Sequence, residues 1–240
     1  MFISLENLFF ILVAYIAFIK YGTLYMKNKQ PFPLMIPMLI YNIVQLLMNL
    51  HLFYMSYLLL GLRVFSFWSD ECYPVTAANL VVNVKDEILI ITYFCTVNKI
   101  FDLCETVFYV LMKKREKVTT LHVYHHISTL TLAILMDRLD SREEILMKIL
   151  AINTIGNSVM QLHFLLTGIN LTYQKLIFMK KFVTVTLTVE VTMSLIMVVR
   201  LLLYCNVPLF FTIIWMIHLT TLIVLFVKHY NTAYIKNRNQ

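Results

Sequence analysis

The chain has 240 residues, of which 60% are hydrophobic and 14% charged, with a mean hydropathy of +0.77. Soluble domains carry about 25% charged residues, so this composition excludes a water-soluble globule, whose interior could not hold so much apolar surface. The formal net charge is +7, but its distribution along the chain accounts for it without nucleic acid as a partner.

Only four glycines and five prolines interrupt the chain, and the apolar runs between them are about 20 residues long, the length of a spanning helix rather than a barrel strand. The expected fold class is therefore all-α, a polytopic membrane protein of about seven transmembrane helices. The runs fall near 5–22, 33–62, 88–112, 118–136, 145–167, 176–203 and 207–227. Each can cross about 30 Å at about 1.5 Å per residue. Ser4 to Lys20 is long enough to span, with Lys20, Lys27 and Lys29 at its far end, so it reads as a retained helix rather than a cleaved leader. No linker, repeat or low-complexity tract divides the sequence, and residues 1–240 are expected to form a single domain.

Charge sets the expected topology. Lys27 and Lys29, then Lys113, Lys114, Arg115 and Lys117, then Lys175, Lys180 and Lys181, then Lys228, Lys236 and Arg238 fall at alternate helix ends, and that side is the cytosol by the positive-inside rule. The opposite loops hold Asp70, Glu71, Asp86, Glu87, Asp137, Asp140, Glu143 and Glu144. An odd number of helices then places the N-terminus in the lumen and the C-terminus in the cytosol. Cys72 and Cys205 both fall in lumenal loops, where oxidising conditions permit disulfides, and a Cys72–Cys205 bridge is expected, while Cys95 and Cys104 lie within the third run. The sequon Asn170-Leu-Thr172 falls on the cytosolic side and is expected to stay unglycosylated.

Ionisable groups inside a spanning helix cost a few kcal/mol each on insertion scales, so clusters of them mark function. In the third run Lys99, Asp102 and Thr106 share one helical face with Glu105 at its edge, and Lys99 and Asp102 are spaced to neutralise each other. In the fourth, His122 and His126 are one turn apart with His125 beside them. Three imidazoles in five residues point to a nucleophile, general base or metal ligand rather than to packing. A di-iron centre needs several such boxes, whereas the other four of the seven histidines, His51, His163, His218 and His229, are scattered singly. No metal is expected, although one ion held by three or four ligands stays open. Cys104 sits among carboxylates that oppose thiolate formation, which argues against a cysteine nucleophile.

Lys99-Ile-Phe-Asp102-Leu-Cys-Glu105-Thr106, followed by Lys113-Lys-Arg-Glu-Lys-Val-Thr-Thr and then Leu121-His122-Val-Tyr-His125-His126, resembles the very-long-chain fatty acid elongase family of membrane 3-ketoacyl-CoA synthases. Lys29-Gln-Pro-Phe, Tyr41-Asn42 and Cys72-Tyr-Pro extend the likeness, which is to a divergent, insect-like member. The resemblance implies an acyltransferase of fatty acid biosynthesis that condenses long-chain acyl-CoA with malonyl-CoA. In that route His125 is the nucleophile that carries the acyl group, His122 and His126 orient it or move protons, and Lys99 and Asp102 support them. Glu105, Thr106, Asn153, Asn157, Lys113, Lys114 and Lys181 are expected on the substrate side, the lysines facing CoA phosphates. Beyond those two substrates the resemblance implies no cofactor, membrane lipid as surroundings, and other elongation-cycle enzymes as partners. Lys236-Asn-Arg238-Asn-Gln240 resembles a dibasic retrieval signal, implying a multi-pass protein of the endoplasmic reticulum membrane.

The chain also departs from the family pattern. The two carboxylates of Lys-x-x-Glu-x-x-Asp-Thr are exchanged here, and Asn157 stands where the family has a second histidine, with Gln161, His163 and Phe164 in place of tyrosines. An amide hydrogen-bonds but does not shuttle protons. His163 is six residues on, about 240° around the helix, and cannot replace it from the same face. The next family segment is eroded to Lys175-Leu-Ile-Phe178-Met-Lys-Lys181-Phe182. The alternative function is accordingly a catalytically inactive relative that binds acyl-CoA or joins a complex.

Overall fold

The computed structural model describes residues 3–66, 84–138, 144–167, 173–205 and 207–235. Asp70, Glu71, Cys72, Asp140, Glu143, the sequon and the C-terminal dibasic segment lie outside them. The described residues are almost wholly helical. Helix α1 (Leu5–Ala17) continues through a π-helical turn, Phe18–Gly22, to a last turn at Thr23–Tyr25. Then follow α2 (Met35–Leu60), α3 (Val84–Leu111), α4 (Thr120–Arg138), α5 (Glu144–Thr167), α6 (Tyr173–Tyr204) and α7 (Leu209–Tyr230). Each of the seven apolar runs read from the sequence overlaps one of these helices, with ends that differ by up to about five residues.

Five stretches are long and apolar enough to cross a membrane: Leu5–Tyr25, Met35–Phe65, Glu144–Thr167, Phe178–Tyr204 and Leu209–Tyr234. The remaining long helices, α3 and α4, fall short because they carry Lys99, Asp102, Glu105 and the three histidines. The groups that raise the cost of insertion are those singled out above as functional.

The exposure pattern is that of a protein facing lipid. Along α2 the polar Asn42, Gln45, Asn49 and Ser56 are buried alongside Tyr41, Leu52, Leu59 and Leu60, while Ile36, Ile40, Leu47 and Leu50 are exposed. Water would demand the reverse arrangement. Polar side chains in this setting bond back onto their own helix, as when Asn49 donates to the Gln45 carbonyl at 2.8 Å and Ser56 to the Leu52 carbonyl at 2.9 Å. Such bonds satisfy the side chain where no water is available.

The chain gathers into two compact units. One comprises 1–41 and 92–140, the other 42–91 and 141–240. In the first, α1 packs against α3 and α4 through Leu8, Leu130 and Ile134, flanked by Ile11, Leu12, Ile100 and Leu103. Gly22 lets the end of α1 approach α3, since a Cβ there would meet the Val110 side chain at 3.3 Å. Tyr41 stacks between Phe101 and Phe108, each ring centroid 5.4 Å away. In the second unit α5, α6 and α7 pack in sequence order, and α5 also meets the short 3-10 turn Gly61–Phe65. That last contact is fastened by charge, with Arg63 Nη1 2.9 Å from Glu144 Oε2, and within α5 Lys148 Nζ lies 2.8 Å from Glu144 Oε1. Cys205 is disulfide-bonded, whereas Cys95 and Cys104 are free thiols.

Candidate active site

Helix α4 begins where its cap places it. Thr119 precedes the first turn, and its hydroxyl accepts the backbone N–H of His122 at 3.1 Å, an N-cap bond that fixes the turn carrying the first histidine. One turn later comes His126, its ring centroid 4.3 Å from that of His122 and the two planes at 75°. The ring of His125 stands edge-on to His126 at 5.7 Å. Its backbone carbonyl accepts the Thr129 hydroxyl at 2.7 Å, so that hydroxyl is satisfied within its own helix.

The facing stripe on α3 supplies the partners. Lys99 Nζ and Asp102 Oδ2 are 3.2 Å apart, the mutual neutralisation expected from their i, i+3 spacing. Tyr109, one turn beyond Glu105, donates its hydroxyl to Glu105 Oε1 at 2.5 Å. The other carboxylate oxygen, Oε2, lies 3.6 Å from Nε2 of His126. That separation is electrostatic rather than a formed hydrogen bond. Thr106 Oγ1 is 2.8 Å from His122 Nε2 and also 2.8 Å from the hydroxyl of Tyr15 on α1. Two side-chain relays therefore reach α4. One runs Tyr15–Thr106–His122 through hydrogen bonds, and the other runs Tyr109–Glu105 through a hydrogen bond and on to His126 across the 3.6 Å electrostatic contact.

Buried carboxylate and imidazole in contact is the arrangement that fixes a ring's orientation and tautomer and prepares it for acid–base or nucleophilic work. It also resembles a ligand set. Glu105, His122 and His126 each place one ligand atom within 4.8 Å of the others, a grouping that could hold one metal ion. The hydroxyls of Tyr109 and Thr106 already engage Glu105 Oε1 and His122 Nε2, so these two atoms are occupied by hydrogen bonds in the present arrangement.

The residues expected on the substrate side divide. Glu105 and Thr106 touch the histidines. Asn153 and Asn157 belong to the second unit, where Asn157 Nδ2 donates to Asn153 Oδ1 at 3.2 Å and Asn153 Nδ2 donates to Glu190 Oε1 at 3.0 Å. Lys113 and Lys114 are exposed at the end of α3. Lys113 has a positive φ of 60° and donates from Nζ to the Lys27 carbonyl at 3.0 Å, and Arg115 donates to the Thr23 carbonyl at 2.9 Å. These bonds tie the α3–α4 connection to the end of α1. Lys181 sits in the second unit, its Nζ 5.7 Å from the centre of the Tyr234 ring.

Sequence reasoning missed Tyr15, Tyr109 and Glu190. Tyr109 prolongs the stripe Asp102, Glu105 and Thr106 by one turn and could have been found by spacing. Glu190 is the one carboxylate in the 32 residues of α6, a signal available by the same cost argument that selected Asp102 and Glu105. Gly156 leaves the space it fills, since a Cβ at that position would collide with the Glu190 carboxylate. Tyr15 carried no signal, being one of 14 tyrosines in an apolar chain.

Comparison with known proteins adds a family. The sequence pattern of the ELO: GNS1/SUR4 family matches residues 1–240. The chain is 28% identical over 202 residues to very long chain fatty acid elongase F of Drosophila melanogaster, covering 82% of this chain and 73% of that protein. It is 35% identical over 118 residues to very long chain fatty acid elongase 4 of Homo sapiens, covering 49% of this chain and 36% of that one. Over 117 residues it is 31% identical to very long chain fatty acid elongase 1 of Mus musculus, again about half of this chain (48%) and 40% of the relative.

Proposed function

This chain belongs to the ELO: GNS1/SUR4 family, and from that premise we propose that it condenses a long-chain acyl-CoA with malonyl-CoA to give a 3-ketoacyl-CoA. The observation that carries the reading is the histidine turn of α4 braced by two relays, Tyr15–Thr106–His122 and Tyr109–Glu105–His126. In the first half-reaction a ring nitrogen of His125 attacks the thioester carbonyl, the C–S bond breaks, and CoA leaves as thiolate, which takes up a proton. In the second, malonyl-CoA loses carbon dioxide, and the electron pair of the broken C–C bond attacks the acyl-imidazole carbonyl. The C–N bond then breaks, releasing 3-ketoacyl-CoA and the free imidazole. Neutral imidazole suits both halves because it is a competent nucleophile and, once acylated, a good leaving group.

All seven long helices are taken to span, with the N-terminus lumenal and the C-terminus cytosolic, in the endoplasmic reticulum membrane. The basic ends Lys113, Lys114 and Lys181 then face the compartment that supplies both CoA esters. Lipid surrounds the protein, and the remaining enzymes of an elongation cycle are its natural neighbours. Membranes expressing the chain, given labelled malonyl-CoA and a panel of acyl-CoAs, should yield ketoacyl or elongated product that vanishes in His125→Ala. Absence of product from the well-folded parent across the panel would favour a relative that binds acyl-CoA without turning it over.

A further inference from the structure

The relay that ends on His122 has a direction. Tyr15 is 5% exposed, and among the described residues its phenol oxygen has one hydrogen-bond partner, Thr106 Oγ1 at 2.8 Å. A buried donor that donates to nothing costs about 1–3 kcal/mol, so the Tyr15 proton lies in the bond to Thr106. Thr106 is 0% exposed and carries a single hydroxyl proton. Because Tyr15 already occupies a lone pair of Oγ1, the Thr106 proton turns to the other partner, Nε2 of His122 at 2.8 Å. An imidazole nitrogen that accepts has no proton of its own. The neutral ring therefore carries its proton at Nδ1. Reversing the chain would make His122 Nε2 the donor and leave the Tyr15 proton sealed in without an acceptor.

The neighbouring ring is set the other way. His126 turns Nε2 toward Glu105 Oε2, and its buried Nδ1 has no hydrogen-bond partner among the described residues. A proton on Nε2 faces the carboxylate, whereas a proton on Nδ1 would be a buried donor with nowhere to go. Two rings one turn apart thus hold opposite tautomers.

We propose that Tyr15, acting through Thr106, is a positioning residue that holds His122 in the Nδ1-protonated form, so that this ring donates a hydrogen bond to a reacting carbonyl oxygen instead of serving as the base. Acyl transfer to and from His125 builds negative charge on that oxygen, and a fixed donor aimed at developing charge lowers the barrier without reorganising. The donor role rests on the condensation reading above, whereas the tautomer rests on the hydrogen-bond chain alone.

Nitrogen-15 NMR of the full chain in lipid nanodiscs, with ring-labelled histidine and His122 assigned by difference against His122→Asn, reads the tautomer directly. The parent and Thr106→Ser should show a bare Nε2 and a protonated Nδ1 at His122, while Tyr15→Phe and Thr106→Val should shift the ring toward the other tautomer. In turnover, Tyr15→Phe and Thr106→Val should lower kcat about three- to tenfold, the range by which one net hydrogen bond biases an equilibrium, with KM within about twofold. Thr106→Ser, which keeps the hydroxyl, should lose less kcat than Thr106→Val, and the double variant Tyr15→Phe/Thr106→Val should be no slower than Thr106→Val alone. A parent spectrum with Nε2 protonated overturns the inference whatever the turnover. An altered tautomer in Tyr15→Phe with kcat unchanged overturns the donor role. Failure of the parent to make product refutes the condensation reading instead, and the spectrum still decides the tautomer.

Discussion

Replacing Glu144 with alanine should lower the melting temperature by more than any surface change could. Glu144 is 1% exposed at the first position of α5, and two cations converge on it, Arg63 at 2.9 Å and Lys148 at 2.8 Å. Lys148 is itself 3% exposed and also donates to the Ser66 carbonyl at 3.0 Å. Removing the carboxylate takes the anionic partner at 2.8 Å away from a sealed ammonium. Breaking a buried pair in this way costs about 3–5 kcal/mol. Arg63, with a third of its side chain exposed (33%), can turn to solvent and adds little. Loss of a negative charge at a helix N-terminus contributes up to about 1 kcal/mol more. For a chain of this size about 2–4 °C accompanies each kcal/mol, so the melting temperature in detergent or nanodiscs should fall by about 6–24 °C. Lys148→Met should cost less, because Arg63 still pairs with Glu144. Adding it to Glu144→Ala should recover part of the loss, since the stranded cation is gone. A Glu144→Ala protein melting within about 2 °C of the parent, or strictly additive effects in the double variant, would refute the reasoning.

Gly156→Ala drives a Cβ into the Glu190 carboxylate and should destabilise by about 1–3 kcal/mol, the usual range for overpacking; thermal scanning should show Glu190→Ala relieving that loss. Asn157→His places a group that can shuttle protons where an amide now donates to Asn153, and turnover in the labelled malonyl-CoA assay should rise; an unchanged rate would count against the correspondence of that position with the family's histidine. Treatment with 1,10-phenanthroline should leave turnover unaltered, because hydrogen bonds already occupy Glu105 Oε1 and His122 Nε2. Loss of activity restored by added zinc would assign Glu105, His122 and His126 to a metal instead.

Much of the architecture was legible because a membrane chain writes its helices as apolar runs. The run 145–167 is matched by Glu144–Thr167 and the run 176–203 by Tyr173–Tyr204, and Lys99 with Asp102 pair as their spacing requires. The histidine turn was legible for the same reason, since three imidazoles in an apolar helix stand out against their surroundings. What stayed hidden depends on separation. Tyr15 meets Thr106 across 91 positions, and Arg63 meets Glu144 across 81. No local period records such contacts. The basic segment Lys113 to Lys117 reads as an anion-facing loop from charge alone, yet Lys113 and Arg115 also clamp the backbone of α1 at Lys27 and Thr23. Glu190 was a different omission, a solitary intramembrane carboxylate in an α6 otherwise free of acid.

The central claim is that His125 carries the acyl group between the two half-reactions. Purified full-length protein incubated with members of the acyl-CoA panel but no malonyl-CoA, quenched and digested, should give a peptide spanning His125 heavier by one acyl group, and the mass should disappear on adding malonyl-CoA. An adduct on a different residue, or ketoacyl product formed at the parent rate by His125→Ala, would contradict it.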